Sequence, residues 1–148
     1  MKRLTLDWYG TWKLIWERDD PYHPYGRAWF DRETEDVVWQ LGEDFRHLPD
    51  GEPPDEVRQH PARYEEIPLL THRDHHKIFQ AFLATLPDEV RDACNTASIG
   101  GFVRDLECHF PEEKGWDYKQ CWHDCRDDEL RKHAERWLTE RGLSVTWE

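Results

Sequence analysis

Apolar positions along this chain recur with two periods, one helical and one of strands, and the switches between them mark out the elements. The most regular run lies near the C-terminus. Leu130, Ala134, Trp137 and Leu138 stand at i, i+4, i+7 and i+8, the single apolar stripe of an amphipathic helix over 127–138. Asp127 is placed to cap its first turn, and Asp128 and Glu129 put negative charge where the helix dipole favours it. Arg136 and Arg141 do the converse at the far end, before the natural stop at Gly142. Trp122 and Cys125 drift off the stripe, so a break is expected at Arg126–Asp127, with 116–126 a separate short helix or turn.

Taken from the start, Leu4 and Leu6 alternate with polar residues, which predicts a strand over 3–6. Asp7 opens a helix over about 8–18 with Trp8, Trp12, Ile15 and Trp16 on one face, and Pro21 to Gly26 forms a loop. Residues 27–31 and 36–41 read as a hairpin, with Val37, Trp39 and Leu41 on one face and Ala28 and Phe30 as the matching inward pair. Between 42 and 62, four Pro and two Gly interrupt a charged stretch without periodicity, a long surface loop. A strand follows over Arg63–Ile67, ended by Pro68.

Three helices are predicted next. The first, about 71–86, opens on Thr71 and Asp74 as a capping box and buries Ile78, Phe79, Phe82, Leu83 and Leu86. The second, 88–97, aligns Val90, Ala93, Cys94 and Ala97. The third, 99–109, turns Ile99, Phe102, Val103 and Leu106 inward, and Gly100-Gly101 signals close backbone packing. Pro111–Gly115 is loop, and alternating Leu143, Val145 and Trp147 end the chain in a strand. The sum is an α+β fold: a small, mostly antiparallel sheet (the 27–41 hairpin plus short strands) packed against four to five helices. A single domain over 1–148 is expected, carrying the long Pro-rich loop at about 42–62.

Charge narrows the function. Lys+Arg 20 against Asp+Glu 32 gives a formal net charge of −12, which repels polyanions and argues against direct nucleic-acid binding. Nine Trp supply either a bulky core or a recognition surface. No apolar run approaches 18 residues and MKRLTLDW lacks the apolar core of a signal peptide, so no membrane association and a cytoplasmic location are expected. In that compartment Cys94, Cys108, Cys121 and Cys125 are expected to be reduced.

Candidate chemistry is sparse. The metal candidates are Cys108 and His109 with Cys121 and Cys125, donors suited to zinc but without the C-x-x-C spacing of zinc modules. His123, between the two last cysteines, would face away from both on a helix. His72, His75 and His76 open the 71–86 helix, where the dipole disfavours their charged form and His75 is expected to pack. No G-x-S-x-G, H-E-x-x-H, P-loop or G-x-G-x-x-G occurs, and no catalytic residue is assigned.

Five blocks in order give the chain a resemblance. Leu6-Asp7-Trp8, then Phe30-Asp31 with Thr34 and Val37, then Arg63-Tyr64 with Ile67-Pro68, then Gly101-Phe102 with Arg104, and finally Trp122, Leu130, Ala134, Trp137 and Leu138 span nearly its whole length. Together they resemble the small bacterial proteins grouped as uncharacterised protein family 0158. Departures are Glu35 at the hairpin's turn glycine, and Val103 and Leu106 within that family's basic segment. The resemblance implies the fold and carries no activity.

These observations lead to a non-enzymatic binding protein, acting through a basic protein partner as an inhibitor or nucleic-acid mimic. Candidate binding residues are Asp31, Arg63, Tyr64, Arg104 and Trp122, with an internal Arg–Asp clamp between sheet and helices as the competing role for Arg63 and Asp31. The alternatives are a Trp-lined pocket for a small aromatic ligand, and a zinc-binding module or enzyme. No cofactor is expected, zinc being the alternative.

Overall fold

The structure, a computed structural model, describes residues 2–13, 26–41 and 53–148. Expectations for Ile15, Trp16, the 21–26 loop up to Tyr25 and the 42–52 part of the Pro-rich segment lie outside these residues. The described chain contains strands β1 (Lys2–Leu6), β2 (Gly26–Asp31), β3 (Asp36–Leu41), β4 (Tyr64–Glu66) and β5 (Leu143–Trp147). Its α-helices are α1 (Asp55–Gln59), α2 (His72–Leu83), α3 (Asp88–Ala93), α4 (Ile99–His109) and α5 (Glu112–Thr139). The class is α+β. Two compact units share these elements: residues 1–71 with 133–148, and residues 72–132. Among the described residues no helix is long and apolar enough to cross a membrane.

The first unit holds both sheets. β1 pairs in parallel with β5, Lys2 opposite Leu143 and Leu6 opposite Trp147, so the first and last strands close on each other. β2 is the middle strand of the antiparallel sheet β3-β2-β4. Its register sets Phe30 opposite Val37 and Ala28 opposite Trp39, the pairing expected of the hairpin. Val57 of α1 and Tyr64 of β4 pack on the face of β2 that carries Trp29. Trp29 is therefore buried together with Ala28 and Phe30, against the alternation expected from sequence. The Trp8–Trp12 segment is a π-helical turn, where an α-helix was expected, closed by the Trp12 N–H on the Asp7 carbonyl at 3.4 Å. Gly10 weakens α propensity there, and both Trp8 and Trp12 are fully buried. Their rings meet edge to face: Trp8 with Trp147 at 5.4 Å, Trp12 with Trp39 at 5.1 Å and with Trp147 at 5.9 Å. Such pairs contribute about 0.5–1.5 kcal/mol each beyond area burial.

The hairpin turn keeps its left-handed residue without glycine. Glu35 sits at φ 56°, its N–H on the Asp31 carbonyl at 2.8 Å, and Lys2 Nζ donates to the Thr34 carbonyl at 2.7 Å. The expected 42–62 loop is corrected in its second half. Pro54 precedes α1, Asp55 and Glu56 occupy its first turn, and Val57 is buried against Trp29 and Tyr64.

The second unit is helical. Phe79, Phe82, Leu83, Leu86, Val90, Cys94, Phe102, Leu106 and Trp122 form its core, with Ile78, Ile99, Val103 and Cys125 half-buried against it. Ser98 caps α4 by accepting the Gly101 N–H at 3.1 Å. α3 ends at Ala93, short of the expected 97, because Asn95 takes the Ala97 N–H at 2.8 Å and Asp105 takes that of Asn95 at 2.8 Å. Ala93 and Ala97 are consequently exposed. No break occurs at Arg126–Asp127: α5 is one helix of 28 residues. Trp122, Arg126, Leu130, Ala134 and Leu138 follow one another every four residues and all are buried. Each such step rotates about 40° around the axis, so the buried line winds, and Arg126 and Asp127 are interior to the helix, not caps.

Candidate functional site

Two groupings concentrate polar and aromatic side chains. The first gathers three of the residues expected to bind. Arg63 donates from Nε and Nη2 to the two oxygens of Asp31 at 2.8 and 2.7 Å, and Asp31 also accepts the N–H groups of Glu33 at 2.9 Å and Thr34 at 3.3 Å. Hydrogen bonding from Arg63 holds the Asp31 carboxyl well below the usual carboxylate range, and Asp31 in turn raises the Arg63 guanidinium. Tyr64 donates to Glu56 at 2.6 Å, and that bond, aided by burial, pushes its phenol up to about 12. Asp31 accepts four donors and is buried, which leaves it little capacity for a ligand. The pair is a clamp within one sheet, tying the residue before β4 to the end of β2, where a tie between sheet and helices was expected.

Around the same sheet two arginines each meet a tryptophan and a carboxylate. Arg141 lies 3.3 Å over the Trp137 ring, bonds the Trp137 carbonyl at 2.8 Å and forks onto Glu65, whose carboxyl it pulls below its ordinary value. Arg27 lies 5.1 Å over Trp29 and donates to Glu66 at 2.7 Å. Both triads are complete within the first unit.

The second grouping is the α4–α5 corner of the second unit. Pro111 ends α4, and the Gly115 N–H reaches back to the Pro111 carbonyl at 2.9 Å. A Cβ on Gly115 would stand 2.8 Å from the Leu106 carbonyl oxygen, so only glycine permits this approach of α5 to α4. The approach leaves a groove of about 430 Å³ lined by Leu106, Phe110, Gly115 and Trp116, with Glu107, Glu112 and Lys119 at its edge. Trp116 is 62% exposed, while the other described tryptophans are buried or half-buried. On its other side it borders a concavity shared with Glu112, Glu113 and Asp117, all exposed. Lys119 bonds Glu107 at 3.0 Å and reaches over Trp116 at 5.9 Å.

No family model, curated protein or solved structure matches this chain.

The remaining expected residues lie apart from the clamp in the fold's division into units. Arg104 is exposed on α4 and approaches Asp105 at 3.9 Å. Trp122 belongs to the aromatic core, its ring 5.4 Å from both Phe79 and Phe82, and offers no surface to a ligand. Among the described residues no three His, Cys, Asp or Glu side chains are grouped to hold a metal ion. Cys108, His109 and Cys121 are exposed, and burial pushes the half-buried Cys125 thiol up. Trp116 went unmarked in the sequence, although its helical neighbours Glu112, Lys119 and Gln120 are all polar, the signature of an aromatic on an outward face.

Proposed function

We propose that the protein is a non-enzymatic binding protein that acts through a basic protein partner, docked at the α4–α5 corner. The observation that carries this reading is Trp116, a large exposed aromatic over an apolar groove, with Glu107, Glu112, Glu113 and Asp117 around it. A ring with desolvated apolar neighbours and an acidic rim is the composition expected of an interface anchor for a cationic surface. Net charge of −12 adds long-range attraction for such a partner. The tryptophans Trp8, Trp12, Trp39 and Trp147 pack on one another, which favours a partner surface over a Trp-lined ligand pocket. We place the chain's ancestry with uncharacterised protein family 0158 on the same footing. Its support is that Leu6, Asp31, Tyr64, Leu130, Ala134 and Leu138, which carry the resemblance, are all buried.

Affinity purification from the native host with the tagged protein tests the docking reading. Wild type should capture a basic protein that W116A and the triple variant E112K/E113K/D117K lose, while D88K/D92K, on another face of the same unit, keeps it. Equal capture by all four proteins would remove the corner from the interface.

A further inference from the structure

The partner group that the corner would receive can be narrowed, granting that reading of the site. Two Trp–carboxylate pairs elsewhere in this chain hold an arginine: Trp137 and Glu65 take Arg141, and Trp29 and Glu66 take Arg27. Trp116 and Glu107 form a third such pair, but its cation is a lysine, Lys119, at 5.9 Å from the ring centroid. That distance is at the outer limit of a useful cation–π contact, about 6 Å. A guanidinium is planar, weakly hydrated and able to stack while forking onto a carboxylate, whereas an ammonium is a strongly hydrated point charge. Trp116 is thus only loosely covered by its own cation. The rim acids Glu112, Glu113 and Asp117 make no salt bridge among the described residues. The N-terminal dipole of α5 opposes a cation with about half a unit charge, against three rim carboxylates.

We propose that the corner receives an arginine side chain from a basic segment of the partner, and that Lys119 is its built-in competitor. On docking, the incoming guanidinium stacks on Trp116 and forks onto a rim carboxylate as Lys119 leaves. Lys119 then sets the threshold for binding: a single weak cation would not displace it, and an arginine in a basic segment would.

Binding of fluorescein-labelled hexa-arginine and hexalysine to the full chain, followed by anisotropy at about 0.1 M salt, where charges are screened over about 10 Å, tests this. Hexa-arginine should bind several-fold more tightly than hexalysine of equal charge. K119M keeps the apolar stem and removes the competing charge, and should tighten hexa-arginine at least about threefold. K132M removes the same charge from a position about 20 Å along α5, beyond the screening length, and should change little. W116A should cost about two- to fivefold and abolish the preference for arginine. Equal affinity for the two peptides, or K119M no tighter than K132M, would overturn the assignment of an arginine even where the native partner is still lost in W116A. Loss of neither peptide nor partner in W116A would instead overturn the docking reading itself.

Discussion

Replacing Gly115 by alanine sets two effects of opposite sign against each other. Alanine is the better helix former by about 0.8–1 kcal/mol in a helix interior, so on propensity alone the variant is more stable. The added Cβ, however, would lie 2.8 Å from the Leu106 carbonyl oxygen and 3.8 Å from the Phe110 Cβ. The nearer atom is main chain of α4, and Leu106 is itself fully buried beside Phe102, so relief requires moving a helix and not a side-chain tip. Overpacking of this kind costs about 1–3 kcal/mol. The steric cost wins, because the atom it meets is main chain, and G115A should be less stable than wild type by up to about 2 kcal/mol. Gly100 supplies the control: a Cβ there meets nothing within 4 Å, so G100A should gain up to about 1 kcal/mol. Urea denaturation followed by far-ultraviolet circular dichroism reads both, provided the m-values agree. Two alanines stabilising alike would refute the close approach of α5 to α4, and with it the groove beside Trp116.

Further expectations follow from the two units. Trp122→Ala should cost about 3–5 kcal/mol of stability, the range for emptying a large aromatic site, whereas W116A should cost under about 0.5 kcal/mol; equal losses in melting experiments would misplace one of the rings. Glu35→Gly should stabilise by up to about 1 kcal/mol, since φ 56° strains a residue with a Cβ and the Lys2 bonds go to main-chain carbonyls that survive the change. Because the Asp31 carboxyl is held down in the fold, its contribution to stability is full above the unfolded carboxylate value of about 3.9 and drains away as pH falls below it. Arg63→Met should therefore flatten the stability–pH curve below about pH 4, and curves parallel to wild type would exclude the clamp. The Tyr64 phenol, raised to about 12, contributes below its unfolded value near 10 and loses that contribution as pH climbs through 12, which ultraviolet titration against Y64F resolves.

Periodic segments were legible in the sequence wherever one face of an element met one core. α4 begins at Ile99 and ends at His109 as its stripe of Phe102 and Leu106 requires, and the hairpin pairs Phe30 with Val37 because period two leaves a strand a single register. Elements with more than one neighbour were not. β2 meets Val57 and Tyr64 on the face that carries Trp29, so Trp29 is buried where alternation sent it outward. α5 winds its buried line by about 40° every four residues, and a fixed-face template loses it between Leu130 and Trp122, which is why Asp127 read as a cap.

The same geometry decides what could be known of the site. Arg63 and Asp31 are 32 residues apart, yet their pairing was foreseeable because a buried carboxylate needs a charge-assisted partner and few arginines stand beside apolar runs. Standing beside an apolar run in sequence says nothing of direction on a helix, where successive side chains turn by about 100°, and Arg104 points to solvent for that reason. Trp116 is the converse case. Its residue type argues for the interior and its polar neighbours at i−4, i+3 and i+4 argue for the surface, and for a ring on a helix the neighbours win. The seven other described tryptophans bury all or part of their area within the fold; Trp116 keeps its area in water, which is stable only as a free surface or as half of an interface. An acidic rim and a Lys119 that stands 5.9 Å from the Trp116 ring are what the proposal of an interface rests on, so the effect of K119M against K132M on arginine-rich peptide is the measurement on which that reading turns.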